Sequence, residues 1–255
     1  MNDGDIENKL RDRTKTKISL LHVDSIGSTN QYAKTLAQQE TIQNPCLIWA
    51  DQQTAGVGKR ARHFYSSAGG LYFSLVLPNL TVEPEKTGLF TTSLAMAIVK
   101  ASKKCFNLSV QVKWVNDIYL NNRKVAGILV EQGAKQSVII GVGINLYQPN
   151  FPQELETIAG NLLIQPPTPF DRTNFLIELA SNLYYSSTTY TNSKFIGEYK
   201  RLLILMNQRI QMQIGHSSVT GKVIDVDALG QLVIVDEATT KKRIIRAGEV
   251  TKILL

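Results

Sequence analysis

The segment 109–145 constrains this 255-residue chain more than any other. It carries short β-type runs at 109–114, 118–120, 124–131 and 137–145, with Asn121-Asn122 as a tight-turn candidate. Short strands joined by tight turns pair with their neighbours, so an antiparallel or mixed sheet is expected. Two more strands, at 46–50 and 71–77, are rich in Leu, Ile, Val and aromatics and bracket a polar, glycine-containing loop. Long loops between core strands tend to be functional.

Helical spacing surrounds these strands. An apolar strand at 18–23 enters the turn 25–30, after which Tyr32, Ala33, Leu36 and Ala37 fall on one helix face, placing Ser28, Thr29 and Asn30 at a helix N-terminus. Over 86–106, Phe90, Leu94, Ala97, Ile98, Ala101 and Cys105 recur at intervals of three and four and predict the main central helix. Pro149, Pro152, Pro166, Pro167 and Pro169 then break the chain before helices expected at 170–185 and 195–206. Beyond Asn207, strands at 209–214, 219–226, 231–235 and 242–246 are separated by Gly215, Gly221 and Gly230, which reads as a small appended β-barrel. Residues 1–17 are polar, alternate in charge and lack an apolar period, so a loose leader is expected, too short for a winged helix. The expected division is 1–17, 18–207 and 208–255.

With 43% hydrophobic and 19% charged residues, disordered and fibrous classes are excluded. A net charge of +7 suits a polyanionic partner, whether nucleic acid, nucleotide phosphate or acidic protein. The basic residues concentrate in the first seventeen positions, at 59–62 and at 241–246, and only the middle cluster sits among glycines. Two cysteines, Cys46 and Cys105, both in apolar stretches, predict buried thiols in a reducing, cytoplasmic compartment and no disulfide framework. No apolar run approaches the roughly 20 residues of a membrane span, so no membrane association is expected.

Three constellations carry candidate chemistry. In the loop 53–62, Gly56 and Gly58 let backbone amides approach a ligand, while Lys59, Arg60 and Arg62 can neutralise phosphate. It lacks the spacing of a P-loop and of the Rossmann glycine pattern, and a solvated connection is the plain alternative. Lys113-Trp114-Val115-Asn116-Asp117 delivers a cation, an aromatic, an amide and a carboxylate within one turn of chain, types costly to leave unpaired in a core. A strand end with a packed Trp and an Asn-Asp turn is its alternative. Next, Lys124 precedes an apolar strand with Gly127 inside it, and Gly141 and Gly143 alternate before Asn145. Interior glycines mark either close ligand approach or an irregular strand, and here one flat face could receive a ring.

Together these segments resemble the catalytic domain of biotin protein ligases over nearly the whole chain from Ile18 onward. Lys113 to Asp117 is similar to the family's KWPND signature, and Arg123 to Glu131 to its RKxxGILVE signature. Ser28-Thr29-Asn30 and the loop from Gln53 to Arg62 are similar to the biotin-contacting STN and the adenylate-binding QxxGRGRxGR loop. Departures cluster in that loop: Val57 and Lys59 stand where the pattern has arginine, Ala61 where it has glycine, and Phe64 where it has tryptophan. Lysine keeps the charge of arginine but loses its planar fork, which bears on adenylate retention. Val115 replaces a proline that shapes the path from strand to turn.

The resemblance implies an α+β fold, a mixed sheet with helices on one side as in class II aminoacyl-tRNA synthetases, followed by an SH3-like barrel. It implies ATP-dependent activation of biotin as an acyl-adenylate and transfer to a lysine of the biotin carboxyl carrier protein of acetyl-CoA carboxylase. Lys124 would bridge carboxylate and α-phosphate, Lys113 would hold the nucleotide side, and Asp117 would orient or deprotonate the acceptor lysine. Ser28, Thr29, Asn30, Gln53, Gly56, Val57, Gly58, Lys59, Lys124, Gly127, Gly141, Gly143 and Asn145 are the expected biotin contacts. Lys59, Arg60, Arg62, Phe64, Lys113 and Asn116 are the expected ATP contacts. No residue set is assigned to a metal, and Mg²⁺ is expected on phosphate oxygens. Specific DNA binding is not expected, and the chain is expected as a monomer or weak homodimer. A lipoate ligase-like transferase and a non-catalytic nucleic-acid-binding module are the rival readings.

Overall fold

The computed structural model describes residues 1–39 and 41–254. Seven strands form the first sheet: β1 (Ser19–Ile26), β2 (Cys46–Gln53), β3 (Leu71–Leu77), β4 (Gln111–Lys113), β5 (Asp117–Leu120), β6 (Arg123–Gln132) and β7 (Val138–Ile144). Their spatial order is β1-β2-β3-β7-β6-β5-β4. Only the β1 and β2 pair is parallel, and the other neighbours run antiparallel, as the short connections of 109–145 require.

Alternation along the strands sorts side chains onto two faces. Leu47, Trp49, Leu75, Ile140 and Val142 enter the main core with α3 (Thr87–Phe106) and α4 (Pro169–Thr189). Cys46, Ile48, Val76 and Ile139 face the other way and pack on Ala33 of α2 (Thr29–Gln39). Helices therefore cover both faces, not one. The main layer is thick and apolar, whereas α2 covers part of its face only, leaving room for a site beside it.

The loose leader expected at 1–17 is instead a helix, α1 (Asp3–Thr14). Asn2 and Asp5 form a reciprocal capping box, and Lys15 closes the far end in the left-handed region. Ile6 and Leu10, four residues apart, are fully buried, and Arg13 of α1 pairs with Glu178 of α4. A face of two apolar residues is too narrow to register as a period, yet burying each contributes about 1.5–3 kcal/mol. The helix expected at 195–206 shortens to α5 (Ile196–Leu202). Cys46 is buried as expected, but Cys105 is exposed, because the last turn of α3 emerges from the core.

The second sheet orders its strands β11-β10-β9-β8-β12 and is antiparallel throughout. Its members are β8 (Arg209–Ile214), β9 (Ser217–Val226), β10 (Leu232–Asp236), β11 (Lys242–Ile245) and β12 (Glu249–Leu254). The small five-stranded unit matches the SH3-like barrel expected, with β12 as a strand that sequence reading did not find. The Trp114 indole donates to the Gly230 carbonyl at 2.9 Å, tying the two sheets together.

Candidate active site

On the α2 face, the residues in register across the sheet are small or polar apart from Leu129. Gly127 pairs with Gly143 and with Asp117, and Gly141 pairs with Ser74 and Leu129. A cavity of about 620 Å³ that Gly127, Gly141 and Gly143 help to line opens beside α2. It is bounded by the N-terminus of α2, the loop after β2, the ends of β4 and β5, the segment 151–159, and the start of β12. Four cations line it, Lys59, Arg62, Lys113 and Lys124, against two carboxylates, Asp117 and Glu249. Such an excess suits an anionic ligand.

Lys124 reaches the cavity through a local irregularity. The β5–β6 register shifts between Ile118 and Tyr119, so Ile118 faces Ala126 while Tyr119 faces Lys124. The extra residue, Val125, is buried in the core, and Lys124 joins Gly127 and Asp117 on the site face. Its Nζ stands 2.6 Å from Asp117 Oδ1, and a Cβ on Gly127 would lie 3.4 Å from that ammonium. The backbone of Lys124 is fixed by the segment above it: its N–H donates to Ile158, and its carbonyl accepts from Gly160. Asn116 donates its side-chain amide to the Ile128 carbonyl at 2.8 Å, which locks the turn before Asp117.

The N-terminus of α2 is a polar network. Gln53 Oε1 accepts from the Thr29 backbone amide at 2.9 Å and from its hydroxyl at 3.1 Å, while Gln53 Nε2 donates to Ser66 at 2.9 Å. Asn30 donates to Glu131 at 2.9 Å and has its oxygen 2.5 Å from the Ser74 hydroxyl. Lys34 pairs with the same Glu131 at 2.6 Å. Asn145 donates to the Gly160 carbonyl at 3.2 Å and accepts from Gln148 at 3.0 Å. Thr29, Asn30, Gln53 and Asn145, which line the cavity, thus also hold its walls.

The glycine loop is folded back on itself. Gly58 donates to Arg62 and Phe64 donates to Gly56, making a small hairpin around the turn Lys59–Ala61. Gly56 is required by packing, since a Cβ there would lie 2.5 Å from Ser66 Oγ and 2.6 Å from the Phe64 carbonyl. The flat face of β7 is covered by protein groups: a Cβ at Gly141 would meet Asn30 Oδ1 at 2.1 Å, and one at Gly143 would meet the Phe64 ring at 2.5 Å. Arg62 and Arg60 both turn toward Glu249, at 2.6 and 2.7 Å. Lys59 and Lys113 have no carboxylate partner among the described residues. Burial lowers both ammonium pKa values; Arg60 adds to the effect on Lys59, while Asp117 opposes it at both. Burial and then Asp117 push the Tyr119 hydroxyl up to about 12.

Of the residues singled out from sequence, all line the cavity except Gly56, buried behind the loop, and Arg60, which is paired with Glu249. Sequence reading missed Glu249, Tyr119, Glu131 and the wall made by Phe151, Leu155 and Ile158. Glu249 lies 189 residues from Arg60, and no local pattern announces a pairing across that distance. Glu131 differs in this respect, since it lies within the Arg123 to Glu131 signature, one residue before the end of β6.

The mixed sheet and its cation-rich cavity define a fold built to hold an anionic ligand. Residues 23–145 match the family model described as Biotin/lipoate A/B protein ligase family. The bifunctional ligase/repressor BirA of Bacillus spizizenii is 32% identical over 252 residues, covering 92% of this chain and 76% of that protein. A biotin--[acetyl-CoA-carboxylase] ligase of Mycobacterium tuberculosis is 24% identical over 89% of this chain and 86% of its own length. The biotin protein ligase from Aquifex aeolicus in complex with biotin and ATP superposes with a TM-score of 0.77 at 25% identity, over 91% of this chain and 97% of that one. The chain belongs to the biotin/lipoate A/B protein ligase family.

Proposed function

We infer that the chain activates biotin with ATP as biotinyl-adenylate and transfers the acyl group to a lysine of a biotin carboxyl carrier protein. The observation that carries this reading is the Lys124–Asp117 pair set beside Gly127 among the further cations Lys59, Lys113 and Arg62 of one cavity. It is supported by relatives named as biotin ligases and by the likeness to a structure holding biotin and ATP.

In the first half-reaction, a biotin carboxylate oxygen attacks the α-phosphorus, a mixed anhydride forms and pyrophosphate leaves. The obstacle is one anion meeting another. Lys124, placed between Asp117 and Gly127, neutralises the charge that builds on the phosphoryl oxygens, and Lys59, Lys113 and Arg62 share it. Among the described residues no group of three or more His, Cys, Asp or Glu gathers around a metal position, and both cavity carboxylates are ion-paired. Mg²⁺ would therefore enter with the substrate, carried on the phosphate oxygens of MgATP.

In the second half-reaction, the acceptor amine attacks the acyl carbon, an amide forms and AMP departs. An ordinary lysine of pKa about 10.4 is almost wholly protonated near neutrality. Asp117 orients that amine or takes its proton once the ligand has drawn Lys124 away from it. Ser28, Thr29 and Gln53 frame the end of the cavity where a polar ring would bind, and Phe64 with Leu155 and Ile158 supplies apolar wall.

Incubation with biotin, MgATP and a carrier domain tests the reading, with the mass of the carrier as readout. One biotinyl addition per carrier is expected. Lipoate added to the carrier in place of biotin would reassign the substrate.

A further inference from the structure

We propose that Lys59 is itself an acceptor: when no carrier protein is present, its amine takes the biotinyl group from the adenylate made in the same cavity. The inference rests on the ligase reading above, and three features of the loop support it.

First, among the described residues Lys59 is the one cation of its loop without a carboxylate partner. Arg60 and Arg62 are both bound to Glu249, whereas no carboxylate pairs with Lys59 among the described residues. Second, Lys59 lines the cavity that also contains Lys124 and Asp117, and it lies within electrostatic reach of the Asp117 carboxylate. It is thus confined in the space where the mixed anhydride would form, a placement that replaces a bimolecular encounter with an intramolecular one. Third, the side-chain type matters. The family loop carries arginine at this position, and a guanidinium stays protonated and is not a nucleophile. Lysine there substitutes a group that can lose its proton, and burial favours the neutral form.

The chemistry is that of the ligase with an internal amine. The neutral Lys59 nitrogen attacks the acyl carbon of biotinyl-adenylate, a C–N bond forms, and the C–O bond to the phosphate breaks. AMP leaves with the electron pair, and the amine proton passes to water at the cavity mouth. The product is a neutral amide where the loop had a cation, and a biotinyl group is left in its own site. The modified chain would hold the adenylate less well, so the event limits itself to one acyl group per chain. Carrier protein, by consuming the adenylate, competes with it.

The test incubates the full chain with biotin and MgATP, without carrier. Intact mass and peptide mapping locate the adduct, and biotin-dependent ATP–pyrophosphate exchange is measured in the same samples. Expected are one biotinyl group on Lys59, formed at a rate independent of protein concentration and suppressed by added carrier. Lys59→Arg loses that adduct, whereas Lys103→Arg, an exposed substitution at the end of α3, retains it. Exchange that proceeds while Lys59 stays unmodified overturns the proposal and leaves the ligase reading standing. Label spread over surface lysines, rising with protein concentration and quenched by hydroxylamine, overturns it in favour of diffusible adenylate. Absence of exchange with biotin removes the ligase reading and this inference together.

Discussion

Glu249, in the last strand, holds its carboxylate 2.6 Å from the guanidinium of Arg62 in the glycine loop, and its second oxygen meets Arg60 at 2.7 Å. The small C-terminal sheet therefore closes the loop over the cavity of the larger one. Both arginines are partly exposed, so each pair contributes at most about 1 kcal/mol. Their combined effect is on where the loop sits more than on whether the chain folds.

Replacing Glu249 by Gln is expected to leave the thermal midpoint nearly unchanged and to speed tryptic cleavage at Lys59, Arg60 and Arg62 in the free protein. Biotin with MgATP should slow that cleavage in the unaltered chain, because ligand phosphates take over the arginines. Equal cleavage rates with and without Glu249 would mean the pairing does not restrain the loop.

Lys124→Ala removes the cation aimed at the reacting phosphate. A loss of about 10²- to 10³-fold in biotin-dependent exchange is expected, the range for a single charge-stabilising donor. Asp117→Asn should spare exchange more than it spares transfer from preformed biotinyl-adenylate to the carrier. Normal transfer by that variant would remove Asp117 from the second step.

The pH dependence follows from the unpaired lysines. Folding lowers the pKa of Lys59 and Lys113 by burial, so over the interval between each lowered value and 10.5 the unfolded chain binds more protons than the folded one. Stability of the free protein should rise with pH through that interval. Nucleotide binding runs the opposite way, since each lost proton removes a positive charge from the cavity. The KM for MgATP is expected to climb with pH, and Lys59→Arg should delay the climb to higher pH. A KM equally dependent on pH in both proteins would contradict a role for the Lys59 charge.

The N-terminal helix is part of the core. Leu10→Ala empties a site that is 0% exposed, and a cost of about 2–5 kcal/mol is expected. Urea unfolding measures it, and an unchanged midpoint would return residues 1–17 to the status of a leader.

How far the sequence revealed the molecule depends on how far apart the partners are. The strand pairs from Gln111 to Ile144 are near neighbours in the chain, and their turn residues and periods made the sheet readable. The glycines of β6 and β7 signalled close approach correctly, but not that Asn30 and Phe64 make the approach. Lys124 was visible as a cation before an apolar strand, yet the register shift that aims it depends on hydrogen bonding between strands. The first helix hid because its two buried residues sit in a highly charged stretch, and β12 hid because Thr251 and Lys252 break its apolar alternation. Glu249 was the largest omission, a charge whose meaning depends wholly on a loop far away in sequence.

The most direct measurement is ATP–pyrophosphate exchange by the purified chain with MgATP, with and without biotin. Exchange that appears only with biotin, and collapses in Lys124→Ala, is the predicted result. No exchange with biotin, or exchange driven by lipoate alone, would contradict the account.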